Sequence, residues 1–460
     1  MSSRGVSGAS SRRIVIIGLG TGGLYASRAA TRVDRRAEVT LIERRDYDMF
    51  SPCGLPYAIE GKVESFEDLK HTVPTTRNIR KLLRHEALSI DTEGKRVEVK
   101  NLESGEVLWL DYDSLIIATG SSPILLPVPG AEEFIGRGIH FVTNPENARE
   151  LKEAALRSKA AVMVGGGAIG LEIALALKRL GVEVYVTKRT PPPLPRNLDP
   201  DMGEIITAYL ESQGLHILFG KGIDNINGGD RVESVVIAGE TIPADLVVMA
   251  VGVRPESKIA EKSGIATGRG GIVVDERMRT SAEDVYAIGD CAATFSGIDG
   301  EEVSPNLATT AFHHAAVAGV NAAGGEAAYD GSLGTFVSFM GELEVACTGY
   351  NSSTAEERGF KVVTGRANMT VKPRWMPDAR EISVKLVVDA ETGRILGGQA
   401  IGEEGAACRI NVVALAIKRR ATLEEFTSIE LAYCPAVSDL YDPLLVAADA
   451  ALRRFKRTAG

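Results

Sequence analysis

The pattern Gly18, Gly20, Gly23 recurs as Gly165, Gly167, Gly170, each time between an apolar run and a helical stretch. No other feature constrains the fold as tightly. In the first copy Ile14-Val15-Ile16-Ile17 reads as a buried parallel strand, and a helix is expected over 24–33. A second strand over 38–42 ends in Glu43, about twenty residues past the glycines, where a dinucleotide fingerprint places its ribose-binding acid. In the second copy Ala161-Val162-Met163-Val164 leads into the glycines, with a helix expected over 171–180 and a strand over 182–187. One such motif is weak evidence. Two, each inside a strand–turn–helix–strand unit, predict two dinucleotide-binding units whose glycines let the backbone approach a pyrophosphate.

Two units imply two different dinucleotides, most simply a flavin and a nicotinamide. The copies part where the first has Glu43 and the second has Lys188 and Arg189. An acid there repels a 2′-phosphate and a cation pairs with it, which predicts NADPH in preference to NADH. The run 113–120 is a buried strand closing on Thr119-Gly120; 245–255 repeats that closure around Gly252; and 284–290 is a strand ending in Gly289-Asp290. Between these, 64–90 is expected to be helical in parts, with Arg77, Arg80, Lys81 and Arg84 on a solvated face, followed by strands at 96–101 and 106–110. Pro123, Pro127 and Pro129 mark a linker, and a helix is expected over 306–323. Past Gly334 the pattern changes to strands at 336–340, 382–388 and 395–401 with helices at 406–418, 423–428 and 437–453. The expected fold class is α/β: two Rossmann-like dinucleotide-binding domains, for FAD and NAD(P)H, plus an α+β C-terminal dimerisation domain. The boundaries read as a disordered tail over 1–11, a discontinuous FAD unit over 12–122 and 282–333, the NAD(P)H unit over 123–281, and the C-terminal unit over 334–460.

A length of 460 residues suits two or three domains. The net charge of −9 and an aromatic content of only 5% argue against a nucleic-acid partner, and the charge also argues against an anionic membrane surface. No run approaches the ~18 apolar residues of a membrane span. The five cysteines (53, 291, 347, 408, 434) show no CxxC spacing, so no metal site is expected, and a reducing cytoplasm is the expected compartment. Cys53 stands out within Ser51-Pro52-Cys53-Gly54-Leu55-Pro56-Tyr57. A free cysteine is more often a buried structural residue, yet this one sits just after a nucleotide fingerprint at an expected helix start. There a helix N-terminus would hold its thiol below the ordinary range. It reads as a redox thiol facing a flavin. His313 and His314 are adjacent on a helix, so no histidine is expected in an acid–base role.

Together these motifs resemble the pyridine nucleotide–disulfide oxidoreductase superfamily, from Ile14 to about Ala448. Cys53-Gly54-Leu55-Pro56-Tyr57 resembles its single-cysteine branch: coenzyme A disulfide reductase, NADH oxidase and peroxidase, and coenzyme A persulfide reductase. Two-cysteine members carry an earlier cysteine where this chain has Asp48. The turn over 21–27 is closer to the coenzyme A disulfide reductase form, because it lacks the histidine of the oxidase and peroxidase form. The resemblance implies that Gly18, Gly20, Gly23 and Glu43 contact the adenosine side of FAD, and that Thr119, Gly120, Gly289 and Asp290 lie near the flavin and its ribityl-phosphate chain. It also implies that Gly165, Gly167 and Gly170 form the nicotinamide-cofactor loop and that Glu172 is the acid beside the nicotinamide ring.

The segment 431–443, with Tyr433 and Cys434, resembles the family's dimer-interface signature. That implies a homodimer in which this segment reaches the other subunit's flavin site. Cys434 corresponds to the catalytic histidine of two-cysteine members and is expected to act as a second thiol near the partner subunit's Cys53, with Tyr433 beside it. Three positions depart from the family pattern: Pro52 replaces Asn, Trp375-Met376-Pro377 replaces Tyr-Tyr-Pro, and Val437 replaces Tyr. The implied activity is FAD-dependent, NADPH-driven reduction of a small-molecule disulfide or persulfide through Cys53. Coenzyme A is among the candidate thiols, with Arg28, Arg32 and Arg77 as candidates for its phosphates. Three other expectations stand beside it: an NAD(P)H oxidase or peroxidase cycling a Cys53 sulfenic acid, a thiol-linked C–S bond-cleaving reductase, and a flavoprotein electron carrier for a ferredoxin-like partner.

Overall fold

Two five-stranded parallel sheets share one local plan. In the computed structural model, which describes residues 11–74 and 77–458, the first runs Val285–Ala287, Ser114–Ile117, Arg13–Ile17, Glu38–Glu43, Ile79–Leu83. The second runs Ile139–His140, Leu246–Met249, Ala160–Val164, Glu183–Lys188, His216–Phe219. In both, the strand entering the glycines lies between the strand that closes the unit and the strand that carries the position of Glu43 or Lys188. Ile14, Ile16 and Leu41 are fully buried in one, and Val162, Val184 and Leu246 in the other. Each such side chain contributes roughly 1.5–3 kcal/mol of burial, so the continuous apolar runs are what fix these strands centrally. The helices after the glycines span Thr21–Val33 and Ala168–Arg179, each starting about one turn earlier than expected, directly at the glycine turn.

The short antiparallel pair Ser121–Pro123 with Val253–Pro255 carries the chain out of the first unit and back. Each parallel sheet is flanked by a three-stranded antiparallel meander: His85–Asp91, Arg96–Asn101, Val107–Asp111 and Ile223–Gly228, Val232–Ile237, Glu240–Pro243. The expected helical character of 64–90 is not found. Apart from a 3-10 turn at Phe66–Leu69, the described part of this stretch is extended, and Ile79–Leu83 is an edge strand. The sequence Ile-Arg-Lys-Leu-Leu has ordinary helix propensity, but the open edge of Glu38–Glu43 supplies hydrogen bonds that override it. Of the tail expected over 1–11, only Ser11 lies within the described residues.

The C-terminal sheet is antiparallel, in the order Phe336–Met340, Leu343–Gly349, Ile395–Gly402, Glu381–Asp389, Val362–Thr370. Helices Ala406–Lys418 and Pro443–Thr458 pack on it. The last helix begins at Pro443, not 437. Asp442 accepts the Leu444 N–H at 2.8 Å and is itself held by buried Arg409, whose Nη2 lies 2.7 Å away. That cap and the proline fix the start and leave 437–442 as a turn. Strands Leu343–Gly349 and Val362–Thr370 and helix Ser352–Glu357 were not anticipated. No helix among the described residues is long and apolar enough to cross a membrane.

Candidate active site at the Cys53 turn

The turn that carries Cys53 is pinned at both ends. Buried Asp48 accepts the Val73 N–H at 2.7 Å and the Lys81 ammonium at 2.6 Å. Met49–Phe50 pairs with Lys70–His71, and Ser51 N–H donates to the Leu69 carbonyl at 2.9 Å. The Ser51 carbonyl accepts the Gly54 N–H at 3.0 Å and closes the 3-10 turn Pro52–Gly54. Helix Leu55–Glu60 follows at once, with Leu55, Ala58 and Ile59 buried in the same core as helix Ala168–Arg179. Cys53 is therefore an exposed thiol on a rigid elbow, opening into a cleft that both glycine loops line.

The expected low thiol pKa is corrected here. Although the residue is accessible, the cleft walls strip water from its sulfur, and the Glu172 carboxylate faces it. Burial first, and that charge second, push the Cys53 thiol up. The helix start is one short turn, too little to reverse both. Tyr57, one turn along, is pushed up by burial, by Glu172 and by Cys53. Glu172 is itself raised by burial, while the Ser338 hydroxyl and the Phe339 N–H favour its charged form. Cys53, Tyr57 and Glu172 thus share one weakly hydrated spot.

The two glycine loops match atom for atom in their backbone anchoring. Gly18 N–H donates to the Ile42 carbonyl at 2.8 Å, and Gly165 N–H to the Thr187 carbonyl at 2.9 Å. Glu43 and Lys188 therefore occupy equivalent sites at the ends of their strands. Gly18 and Gly165 have φ of +104° and +127°, a region that a side chain strains. Nothing lies within 4 Å of where a Cβ would stand on Gly20 or Gly167. Neither helix has a side-chain cap at its N-terminus, so the first-turn N–H groups face the open cleft. Two uncapped helix starts with open glycine cradles fit two dinucleotide pyrophosphates.

Around these loops the other expected residues fall into place unevenly. Glu43 is buried; its carboxylate accepts the Leu19 N–H at 2.9 Å and pairs with Arg45 at 2.7 Å. Lys188 folds back over Gly166 onto Thr190, 2.8 Å from its hydroxyl, and burial lowers its pKa; Arg189 stays exposed at the cleft. Asp290 accepts the Ser121 hydroxyl at 2.9 Å and is raised by burial, while the Thr119 hydroxyl is turned onto the Glu256 carbonyl. Gly120, Gly252 and Gly289 all line the cleft with positive φ. His314 is not catalytic. Its Nδ1 accepts the Gly289 N–H at 3.3 Å and its Nε2 lies 3.0 Å from the Thr294 hydroxyl, an arrangement that requires neutral imidazole, and burial lowers its pKa to about 4.

Tyr433 and Cys434 are the residues not brought to Cys53 within one chain. Both are exposed, in a turn closed by Val437 and Ser438 N–H groups on the Cys434 carbonyl, and neither lines the cleft. Val437, Leu440 and Tyr441 beside them are 67%, 62% and 73% exposed, and Trp375 is 71% exposed. That much bare apolar surface marks a contact face. Arg28 lies over the Tyr25 ring at 5.7 Å, and Arg28 and Arg77 line no part of the cleft.

Three participants were missed in the sequence. Ser338, on edge strand Phe336–Met340, donates to Glu172. Lys62 lies 5.5 Å from the Phe339 ring and 5.9 Å from the Tyr57 ring. His71 Nε2 lies 2.7 Å from the Ser51 hydroxyl, on the elbow itself. None carries a motif; the pairing of Met49 with His71 and the docking of the C-terminal sheet bring them in.

Comparison with known proteins agrees with this geometry. Residues 12–315 match the family described as pyridine nucleotide-disulphide oxidoreductase, and residues 337–442 match that family's dimerisation domain. A protein of Methanocaldococcus jannaschii named NADH oxidase is 35% identical, over 96% of this chain and 99% of its own length. A Pyrococcus abyssi protein named NAD(P)H sulfur oxidoreductase (CoA-dependent) is 34% identical, over 95% and 97%. The solved NAD-dependent persulfide reductase from A. fulgidus superposes with a TM-score of 0.92 at 33% identity, covering 97% of this chain and 84% of that one. The chain belongs to the pyridine nucleotide-disulphide oxidoreductase family and is an oxidoreductase.

Proposed function

We propose that this oxidoreductase is an FAD-dependent NAD(P)H reductase of a small-molecule disulfide or persulfide, with Cys53 as its single reacting thiol. The observation that carries this reading is the exposed Cys53 sulfur on a pinned elbow in a cleft that both nucleotide loops line. The names of relatives support the substrate class: one is a CoA-dependent sulfur oxidoreductase and another a persulfide reductase. The domain boundaries proposed are those given above, with FAD on the unit of Gly18, Gly20, Gly23 and Glu43 and the nicotinamide nucleotide on the unit of Gly165, Gly167 and Gly170.

When bound, FAD supplies hydride acceptance from the nicotinamide and two-electron delivery toward sulfur. The chain's own work is binding, orientation and proton control. Helix starts Thr21 and Ala168 present N–H groups to the two pyrophosphates. Arg189, with Lys188 released from Thr190, pairs with a 2′-phosphate, which favours NADPH. The Cys53 thiolate attacks one sulfur of the substrate S–S bond; that bond breaks, the other sulfur leaves as a thiolate, and Cys53 holds a mixed disulfide. Two electrons then cleave it, releasing the second thiolate and restoring Cys53. The thiol must first lose its proton, and Glu172 is the group placed to govern that. The bare apolar face of Val437, Leu440, Tyr441 and Trp375 is read as a homodimer contact, through which Tyr433 and Cys434 of each chain approach the opposite site.

A second reading is oxygen or peroxide reduction through a Cys53 sulfenic acid, favoured by the relative named NADH oxidase. One experiment separates them. The holoenzyme is reduced anaerobically with NADPH and then offered coenzyme A disulfide, a persulfide, peroxide or oxygen. Fast reoxidation by the sulfur compounds, lost in Cys53→Ser while NADPH still bleaches the flavin, is expected. Reoxidation by oxygen or peroxide alone would overturn the reductase reading.

A further inference from the structure

We propose that Ser338 is a positioning residue that holds the Glu172 carboxylate toward Cys53, so that the edge strand of the C-terminal sheet governs how readily Cys53 gives up its proton. This rests on the reading of Cys53 as the reacting thiol.

Strand Phe336–Met340 alternates: Val337 and Phe339 are 52% and 39% exposed, while Ser338 and Met340 are buried. Ser338 therefore points inward from a sheet whose family match is the dimerisation domain, and its hydroxyl donates to Glu172 Oε1. Glu172 stands in the first turns of helix Ala168–Arg179, beside the glycine loop of the second unit. The Ser338 hydroxyl fixes this half-buried carboxylate. Cys53, Tyr57, Glu172, Ser338 and Phe339 all line the same cleft.

Among the described residues the other titratable groups around this spot are mostly engaged, and His71 lies 2.7 Å from the Ser51 hydroxyl on the elbow. On the Cys53 side are Glu60, bonded to Arg179 from the Glu172 helix, and Lys62, 3.2 Å from Glu60. From helix Pro145–Ala155 comes Lys152, bonded to the Ala58 carbonyl at 2.7 Å. Strand Phe336–Met340 itself brings no titratable group. Lys62 is the one nearby cation that leans on both Tyr57 and Phe339. Glu172 lines the same cleft as Cys53, and its negative charge, after burial, raises the thiol. Hydrogen bonds to a carboxylate favour its charged form, so the Ser338 hydroxyl opposes the burial that raises Glu172 and holds the carboxylate in place. Removing the hydroxyl lets Glu172 take up a proton or turn away; either change eases ionisation of Cys53.

The test is the pH dependence of Cys53 alkylation in the reduced FAD-loaded protein, resolved from Cys408 and Cys434 by peptide mass. Glu172→Gln is expected to lower the titration midpoint by on the order of one pH unit, making alkylation about tenfold faster on the acid side. Ser338→Ala is expected to move it the same way by less, about threefold in rate, and Ser338→Thr to restore the wild-type curve. Retained flavin absorbance shows that each variant is folded, and Ser338→Gly, which also lacks the hydroxyl, serves where Ala does not fold. A Ser338→Ala curve superposing on wild type overturns the positioning role. An unmoved Glu172→Gln curve overturns the coupling altogether. The readout needs no disulfide substrate, so a wrong substrate assignment leaves it standing, whereas a failed reoxidation by disulfides would leave these curves unchanged.

Discussion

The two nucleotide units are built on one backbone plan and end in opposite charges. Strand register, glycine anchoring and uncapped helix starts correspond position by position, yet Glu43 is locked by Arg45 and the Leu19 N–H while Lys188 leans loosely on Thr190. Backbone geometry makes each a dinucleotide site. In the proposed reading, the side chain at the end of the next strand decides which dinucleotide binds and how rigidly it is met. The first unit is preorganised around a fixed anion. The second presents Lys188, held on Thr190, and the exposed Arg189, the cations proposed to meet a phosphate.

The largest effect should separate the two helix starts. A Cβ on Gly23 would overlap the Gly18 carbonyl, whereas one on Gly170 would lie 2.9 Å from the Gly165 carbonyl and 3.2 Å from the Ala250 side chain. Gly23→Ala is expected to cost more than about 4 kcal/mol and to abolish flavin retention. Gly170→Ala should cost roughly 1–3 kcal/mol and leave flavin bound while weakening the nicotinamide nucleotide. Thermal melts with flavin absorbance report both, and equal losses would break the distinction between the units.

Next in size is Glu43→Gln, which leaves the half-buried Arg45 without its anion. A loss of about 3 kcal/mol is expected, with flavin released at lower denaturant. Lys188→Glu comes after, with no expected change in stability. It should shift the ratio of kcat/KM for NADPH over NADH by about 100-fold toward NADH, near 2.7 kcal/mol. An unchanged ratio would mean that Arg189 alone, or neither residue, reads the 2′-phosphate.

A further effect is on acid stability. His314 is lowered to about 4 in the folded chain. The unfolded chain takes up a proton there that the folded chain refuses, so stability falls as pH drops from about 6.5. Glu43 is held below its ordinary value: desolvation opposes its charge, but Arg45 and the backbone N–H groups outweigh that. Its contribution is present above the usual carboxylate range and is lost as pH falls through the depressed folded value. Tm followed from pH 7 downward should decline in two stages, and His314→Gln should flatten the first.

Much of this was legible in the residues because it is local. Gly-x-Gly-x-x-Gly after a four-residue apolar run can do little else than turn a strand into a helix, and the repeat identified the two units. Ile79–Leu83 was misread because five residues of mixed propensity take the structure of the edge they meet. The start at Pro443 was misplaced because the cap depends on Asp442 being held by Arg409 from another helix. Asp48 was noticed only as the absence of a cysteine, whereas its carboxylate pins the elbow through Val73 and Lys81.

What the sequence determined by itself is two dinucleotide-binding units and one thiol set just after the first. Those follow from short-range rules of backbone sterics and hydrophobic periodicity. What only the tertiary structure decided is the environment of that thiol. Glu172 and Ser338 lie far from Cys53 along the chain and meet it through packing of three separate elements. Burial in the cleft and the charge of Glu172 raise a thiol that its helix position alone would have lowered. Electrostatics acts through space and through lost hydration, and neither is written in the spacing of a motif.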